Sequence, residues 1–147
     1  MAEQTELIQI RYLADGLPEL AFIGGKSDWI DLYVAENVHL HAGEYRLIRL
    51  GVAIALPSGY EALLAPRSST FQNYGILQAN SIGIIDNSYR GDTDEWKFPA
   101  YATRDTDIAK GARICQFRIL RSQPPVEFVR VEHLTDPDRG GYGTTGK

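Results

Sequence analysis

Short runs of apolar residues, in places alternating with polar ones, follow one another along most of the 147-residue chain, and turn residues separate them. Runs of this kind predict β-strands, because successive side chains of a strand point to opposite faces of a sheet. Inside the longest run, Gly51 indicates a bulge or a bend. So many short strands predict an all-β sandwich, barrel or jelly roll. The predicted strands are LIQIRYL (7–13), YRLIRLGVAIALP (45–57), YEALLAP (60–66), GILQAN (75–80), SIGIID (81–86), WKFPAYATR (96–104), ARICQFRIL (112–120) and VEFVRVEHL (126–134).

Two segments differ from this strand pattern. SSTFQNYG (68–75) predicts one short helix, with a serine as its N-cap and Gly75 just past its end. The C-terminal DPDRGGYGTTGK (136–147) is rich in glycine and has no pattern that would form a core. A flexible spacer needs neither an arginine nor an aromatic residue, so a disordered terminus and a phosphate-binding arm both stay open for it. We expect one β domain over 1–135 and a flexible arm over 136–147.

The composition and net charge limit the kinds of molecule that the protein is expected to bind. With 44% hydrophobic and 23% charged residues the chain is typical of globular proteins. A formal net charge of -4 argues against nucleic acid or an anionic membrane as partner, although a local basic pocket for a small anion stays compatible with it. No apolar stretch approaches the roughly 20 residues that span a bilayer, and no signal-peptide pattern is seen, so we expect a cytoplasmic protein. The single cysteine, Cys115, stands in an apolar run and predicts a buried thiol.

Polar groups suited to phosphate occur in two segments between or within the predicted strands. In APRSST (65–70), Arg67 offers a forked guanidinium and two serines offer hydroxyls. In KGARICQF (110–117), Gln116 interrupts an apolar strand with an amide that needs partners if it is buried. Taken singly, each is better explained by a surface turn or an outward-facing strand residue.

Two aspartates complete the candidate chemistry. Asp86 ends an apolar strand within NSIGIIDNSYRGD (80–92), and a polar turn follows it. Asp31 lies between apolar neighbours in SDWIDLYVA (27–35). A hard cation such as Mg2+ that is held largely by substrate phosphates needs only one or two carboxylates. The sequence contains no Walker A loop, GxSxG elbow or HExxH motif, which excludes the commonest NTPase, hydrolase and zinc-protease mechanisms.

Five segments, in this order, resemble the motifs of the homotrimeric dUTP pyrophosphatases (dUTPases), in particular of their bacterial and phage branch. Together they extend over most of the chain, and the third is the most specific. The resemblance implies a Mg2+-dependent enzyme that hydrolyses dUTP to dUMP and pyrophosphate, which limits uracil in DNA and supplies dUMP for dTMP synthesis. It also implies a jelly-roll-like subunit with at most one short helix, and a homotrimer with its active sites at subunit interfaces. The segments are DWIDLYVA (28–35), PRSS (66–69), NSIGIIDNSYRGD (80–92), GARICQ (111–116) and DRGGYGTTG (138–146).

The resemblance also implies roles for individual residues in the reaction. Asp86 would be the general base that activates water for attack on the α-phosphorus, as an aspartate ionised at neutral pH can be. Arg139 would approach the γ-phosphate as an arginine finger. Asp31 would bind Mg2+ through its water shell.

The remaining residues would bind the substrate. Asn80 and the main chain near Gly83 would read the uracil, and Tyr89 would pack against the deoxyribose and exclude a ribose 2′-OH. Tyr142 would lie over the uracil, where the family often has phenylalanine. The residues implied for the phosphates are Arg67, Ser68, Ser69 and Gln116, with Thr144 and Thr145 as further donors from the tail.

Two other functions are weighed against this one. The related dCTP deaminases share the fold, but their reaction uses a glutamate near the pyrimidine, and the third motif contains none. A β-rich binding protein that keeps nucleotide recognition as a switch for a regulatory protein partner is the non-enzymatic alternative. The complete set of polar motif residues favours catalysis, and a regulatory partner is left open as a second function.

Overall fold

The structure, a computed structural model, describes residues 4–143. Within them the chain forms short strands and one short helix, as the alternating pattern predicts, and the all-β, jelly-roll-like class is confirmed. No helix among these residues has both the length and the apolar character that crossing a membrane requires. The elements are β1 (Gln9–Tyr12), β2 (Ile30–Leu32), β3 (Val38–Leu40), β4 (Tyr45–Arg49), β5 (Val52–Ala55), β6 (Tyr60–Pro66), α1 (Thr70–Tyr74), β7 (Ile76–Gln78), β8 (Gly83–Ile85), β9 (Lys97–Ala102), β10 (Thr106–Ile108) and β11 (Cys115–Arg121).

The strands pair antiparallel in four small sheets, and most neighbours in a sheet are distant in sequence. The largest sheet has the order β2-β11-β6-β8, and a second has the order β4-β9-β7. Two-stranded sheets join β1 to β5 and β3 to β10. In β9 the side chains of Phe98, Ala100 and Ala102 are buried whereas Lys97 and Tyr101 are exposed, so one face of this sheet points to the core.

The core lies between these sheets and is almost wholly apolar. Trp96 is fully buried, and its ring meets that of Phe117 edge to face at 5.0 Å between centroids. Burying a large apolar side chain contributes about 1.5–3 kcal/mol. Cys115 is also fully buried, as its apolar neighbours predict, and burial raises the pKa of its thiol, with a smaller contribution from the Asp31 carboxylate.

The bend predicted at Gly51 is found, and it divides the long run 45–57 into two strands of different sheets. Gly51 has φ +71°, a left-handed conformation that a residue with a Cβ rarely adopts. A Cβ at this position would lie 3.0 Å from Leu17 Cδ1 and 3.2 Å from the Cβ atoms of Ala14 and Ala35. The glycine therefore allows the chain to pass from β4, which pairs with β9, to β5, which pairs with β1.

The helix is shorter than predicted, and its N-terminus is held differently. Gly75 follows it at φ 63°, as predicted, but the N-cap residue Ser69 makes no side-chain capping bond. Thr70 takes over the anchoring: its hydroxyl accepts the N–H of Arg67 at 2.9 Å and donates to the carbonyl of Ile114 at 2.6 Å. The reason is burial, because Thr70 points inward whereas the serines before it lie nearer the surface.

The strand predicted at 126–134 is not formed, and residues 122–143 contain neither helix nor strand. Their apolar side chains are exposed, with Phe128 96% and Val131 56% accessible. The alternating pattern is present, but a strand also needs a neighbouring backbone, and none of the described strands pairs with this segment. The pattern missed the three-residue strands β2, β3 and β10. The strands β7 and β8 are equally short, but they lie within the longer predicted runs 75–80 and 81–86.

Candidate active site

The aspartate at the end of β8 is oriented by the serine two residues later. Asp86 Oδ2 accepts the N–H of Ser88 at 2.9 Å and also its hydroxyl. These two hydrogen bonds lower the pKa of Asp86 below its usual value. The side chain is exposed, and no described residue donates to Oδ1. One oxygen is thus held by the protein, and the other accepts no hydrogen bond from the described residues.

The turn that carries Asp86 is anchored from below by its neighbour Asn87. Asn87 Nδ2 donates to the carbonyls of Pro57 at 2.8 Å and Tyr60 at 2.9 Å, which bracket the turn between β5 and β6. Arg90 donates in turn to Asn87 Oδ1 at 3.0 Å, so its guanidinium pairs with an amide inside the loop. The loop is therefore tied to the core sheet by side chains and not by its backbone alone.

Tyr89 lies beside Asp86 at a cavity of about 510 Å³. Its hydroxyl donates to the carbonyl of Glu95 at 2.8 Å, and its N–H donates to the carbonyl of Asp86 at 3.0 Å. Partial burial raises the pKa of Tyr89, and the carboxylates of Asp94 and Glu95 raise it further, so the hydroxyl stays a donor. The other lining residues are Leu47, Ile84, Ile85, Ser88, Trp96 and Lys97.

The turn before β8 is tight, and Gly83, which follows it, has little room for a side chain. Ser81 has φ 63°, and Ile82 N–H donates to the carbonyl of Asn80 at 2.7 Å. A Cβ on the buried Gly83 would lie 3.1 Å from Leu64 Cβ and 3.2 Å from Gln78 Nε2. Glycine therefore lets this main chain approach β6 closely. The side chain of Asn80 is exposed on the same turn.

A second cluster forms where β2, β6 and β11 lie side by side. Asp31 is 9% exposed; its Oδ1 is 3.0 Å from Arg67 Nε and its Oδ2 is 3.2 Å from Arg113 Nη1. Gln116 stands opposite Asp31 in the sheet and donates to the carbonyl of Pro66 at 3.2 Å. Two guanidiniums and one carboxylate leave one net positive charge, which favours an anion. Ser68 and Ser69 follow Arg67 directly.

Arg113 is the member of this cluster that the sequence reading missed. It lies in the segment GARICQ, and its charge three residues before Gln116 is the only signal that could have indicated it. Its contact with Asp31 joins residues 82 positions apart, which no local pattern encodes.

The two clusters lie at opposite ends of β6 in one chain. Ile85 is paired with Ala62, whereas Arg67 directly follows Pro66 at the other end of that strand. Five to six residues of strand at about 3.3 Å each separate Asp86 from Arg67 by roughly 15–20 Å. A single chain therefore does not bring the predicted base together with the predicted phosphate ligands.

Two described tail residues, Arg139 and Tyr142, make no hydrogen bond or ion pair with either cluster. Tyr142 is fully accessible, and Arg139 makes no hydrogen bond or ion pair with any residue that the structure describes. Thr144 and Thr145 lie outside the described residues. Across residues 4–143 no group of three or more His, Cys, Asp or Glu side chains is placed to hold a metal ion.

Comparisons with known proteins agree on one family. The family model for dUTPase matches residues 29–146. The SPbeta prophage-derived deoxyuridine 5′-triphosphate nucleotidohydrolase YosS of Bacillus subtilis (strain 168) is 52% identical over 95% of this chain and 97% of its own length.

Two solved phage structures share the fold. A Staphylococcus bacteriophage 80alpha dUTPase mutant with dUpNHpp gives a TM-score of 0.79 at 21% identity, over 97% of this chain and 99% of its own. A mutant dUTPase from Staphylococcus aureus phage phi11, described with a structural Mg(II) ion, gives 0.75 at 20% identity, over 87% and 98%.

Proposed function

Because this chain belongs to the dUTPase family and is a deoxyuridine 5′-triphosphate nucleotidohydrolase, we propose that Asp86 activates the water that attacks the α-phosphorus of dUTP. The observation that carries this proposal is the asymmetry of the Asp86 carboxylate. Ser88 holds Oδ2 through two hydrogen bonds, while Oδ1 accepts none from the described residues, and the exposed Asp86 side chain lines the Tyr89 cavity. A carboxylate held in this way presents one acceptor in a fixed direction.

The proposed step is an in-line displacement at the α-phosphorus. The water oxygen forms a bond to phosphorus as its proton moves to Asp86 Oδ1, and the bond to the bridging oxygen breaks to release pyrophosphate. Ser88 keeps the pKa of Asp86 low, so the group is ionised at neutral pH and is a weak base. Its contribution is then mainly the alignment of the water, which phosphoryl transfer rewards.

The positive cluster on β2, β6 and β11 is proposed to bind the triphosphate. Arg67 and Gln116 would donate to phosphate oxygens together with Ser68 and Ser69, as the resemblance implies. Arg113 adds a second guanidinium, and bidentate guanidinium contacts suit phosphate geometry. In the free chain Asp31 holds both arginines in place, with distances of 3.0 and 3.2 Å.

The same cluster fits a magnesium ion that arrives with the substrate. One carboxylate beside two guanidiniums would repel a free divalent cation, but a triphosphate reverses the local charge and leaves Asp31 as an acceptor for metal-bound water. When bound, Mg2+ would neutralise phosphate charge. The Mg(II) ion described for the phage phi11 enzyme is a structural one, whereas the ion proposed here comes with the substrate and is contacted by Asp31 through water.

The hairpin around β8 is proposed to select the nucleoside. The main chain near Gly83 would read the uracil edge together with Asn80, which stands exposed on the same turn. Tyr89 would pack against the deoxyribose. From the tail, Tyr142 would stack on the uracil, a contact of about 1–3 kcal/mol.

The other tail residues are proposed as phosphate donors. Arg139 would stabilise charge on the γ-phosphate, and Thr144 and Thr145 would supply hydroxyls. The exposure of Arg139 and Tyr142 in the free chain supports an arm, here 136–147, that finds its contacts elsewhere.

A homotrimer with shared active sites is the proposed assembly. It is supported by the separation of the two clusters and by an exposed apolar face on the sheet of β4, β9 and β7. On that face Tyr101 lies opposite both Tyr45 and Leu77, and these three side chains are 43–57% exposed. A contiguous exposed apolar patch is typical of a protein interface. Light scattering coupled to size exclusion measures the number of chains directly.

We place the enzyme in the cytoplasm, where removal of dUTP would limit uracil in DNA and supply dUMP for dTMP synthesis. The phage enzymes are described as controlling the transfer of virulence genes. A regulatory protein partner for this chain would be found by pull-down experiments with nucleotide-bound and nucleotide-free protein.

A substrate panel tests the proposal. Purified protein with Mg2+ should release pyrophosphate from dUTP, and far more slowly from dTTP, UTP and dCTP. Equal turnover of dTTP would remove the argument for a tight uracil site. Release of ammonia from dCTP would identify the deaminase reaction in its place.

A further inference from the structure

Glu95 joins the loop after β8 to the scaffold by its side chain. Its carboxylate is 12% exposed, and Arg49 Nε lies 3.1 Å from both carboxylate oxygens. The N–H of Gly51 also donates to Oε2 at 3.1 Å. Both donors belong to the junction of β4 and β5, so the side chain of Glu95 is bound to the bend at which the chain passes from one sheet to another.

The main chain around Glu95 is bound to the same junction. The N–H of Trp96 donates to the carbonyl of Val52 at 2.8 Å, and the carbonyl of Trp96 accepts the N–H of Leu50 at 3.1 Å. The carbonyl of Glu95 cannot shift without breaking these bonds or the pair with Arg49. It is therefore a fixed acceptor at the wall of the cavity.

That fixed carbonyl is the partner of the Tyr89 hydroxyl, at 2.8 Å. This bond holds the hydroxyl end of the Tyr89 ring. The main chain of Tyr89 is held by its own N–H, which donates to the main-chain carbonyl of Asp86. A ring that excludes a 2′-OH by its bulk does so only while it cannot turn aside. Positioning of this kind depends on supporting groups that hold the contacting side chain within a fraction of an ångström.

We propose that Glu95, held by Arg49, is a positioning residue for sugar specificity, and that it fixes Tyr89 against the deoxyribose so that ribonucleotides are rejected. The inference rests on the proposed role of Tyr89 in dUTP binding. Glu95 itself would not touch the substrate. Its main-chain carbonyl holds Tyr89, which would.

The test is the ratio of kcat/KM for dUTP to kcat/KM for UTP. Glu95→Gln removes the charge that pairs with Arg49. We expect the ratio to fall roughly three- to tenfold, which corresponds to the free energy of one typical hydrogen bond. The fall should come chiefly from a higher kcat/KM for UTP. Tyr89→Phe, which keeps the ring and the ion pair but removes the tether, should lower the ratio in the same direction. The double variant should fall no further than the larger single effect, because both changes act through one contact.

Glu36→Gln is the matched control. Glu36 also approaches Arg49, at 3.5 Å, but its side chain is 55% exposed and it has no bond to the loop. Its removal should leave the ratio unchanged. A merely structural role for Glu95 would lower stability and both kcat/KM values equally, without changing the ratio.

The outcomes separate this inference from the function it rests on. If wild-type protein turns over dUTP and UTP equally, the proposed role of Tyr89 fails. If wild type prefers dUTP but folded Glu95→Gln and Tyr89→Phe keep the full preference, only the positioning role of Glu95 is overturned. Should Glu95→Gln not fold, Arg49→Lys removes the Nε contact with both Glu95 carboxylate oxygens from the other side. An unchanged ratio in that folded variant overturns the positioning role.

Discussion

Replacing Asp86 by asparagine removes the proposed base without changing its shape. In the wild type Oδ2 accepts two hydrogen bonds from Ser88. An asparagine must turn its single oxygen to Ser88 to satisfy both donors, because its NH2 group cannot accept them. The NH2 group then occupies the outward position of Oδ1, where it would donate to water and could not take a proton.

The expected loss is large and confined to turnover. General base catalysis contributes about 10²–10⁴ in rate, so kcat should fall by that factor. Binding of dUTP and the melting temperature should change little, since the side chain is exposed and the bonds to Ser88 persist. Pyrophosphate release at saturating dUTP measures kcat, and calorimetric titration measures the dissociation constant.

Two results would refute a base role for Asp86. If Asp86→Asn keeps more than about a tenth of the wild-type kcat, proton transfer to this residue is not the basis of catalysis. A loss of dUTP affinity that accounts for the whole effect would refute it as well, because Asp86 would then be a binding residue only.

Three further results are expected. Ser88→Ala removes the bonds that lower the pKa of Asp86, so the acidic limb of kcat/KM should move to higher pH; an unchanged pH profile would contradict this origin. Gly51→Ala should lower the free energy of unfolding by about 2–5 kcal/mol through φ strain and overpacking, as denaturant titration would show. Its control, Gly59→Ala, has φ +83° but open space around the Cβ and should cost less. Truncation before Arg139 should depress dUTP turnover and leave a folded protein by circular dichroism; unaltered kinetics would exclude a role for the arm.

Sequence reasoning succeeded where the information is local. The strand 60–66 was predicted with its true bounds because the turn residues at 57–59 precede an apolar run that ends at Pro66. Gly75 marked the helix end for an equally local reason, its positive φ. The family and the fold followed from five short motifs, each readable by itself.

It failed where structure depends on distant partners. The segment 126–134 has the pattern of a strand but no neighbouring strand to pair with in the described chain. The pairing of Arg113 with Asp31 and of Arg49 with Glu95 joins positions 82 and 46 residues apart, and neither pair has a sequence signature. The roles of the predicted site residues remain predictions, since they depend on substrate and on neighbouring chains.

Because Cys115 is buried, the native protein should not react with thiol reagents. It is the only cysteine in the chain, it has no accessible surface, and its raised pKa keeps it protonated. A label such as a maleimide should react only when the core opens, so the labelling rate reports the frequency of global unfolding. A single cysteine engineered on the arm could then be labelled with a fluorophore without a competing site, and its motion followed as nucleotide binds.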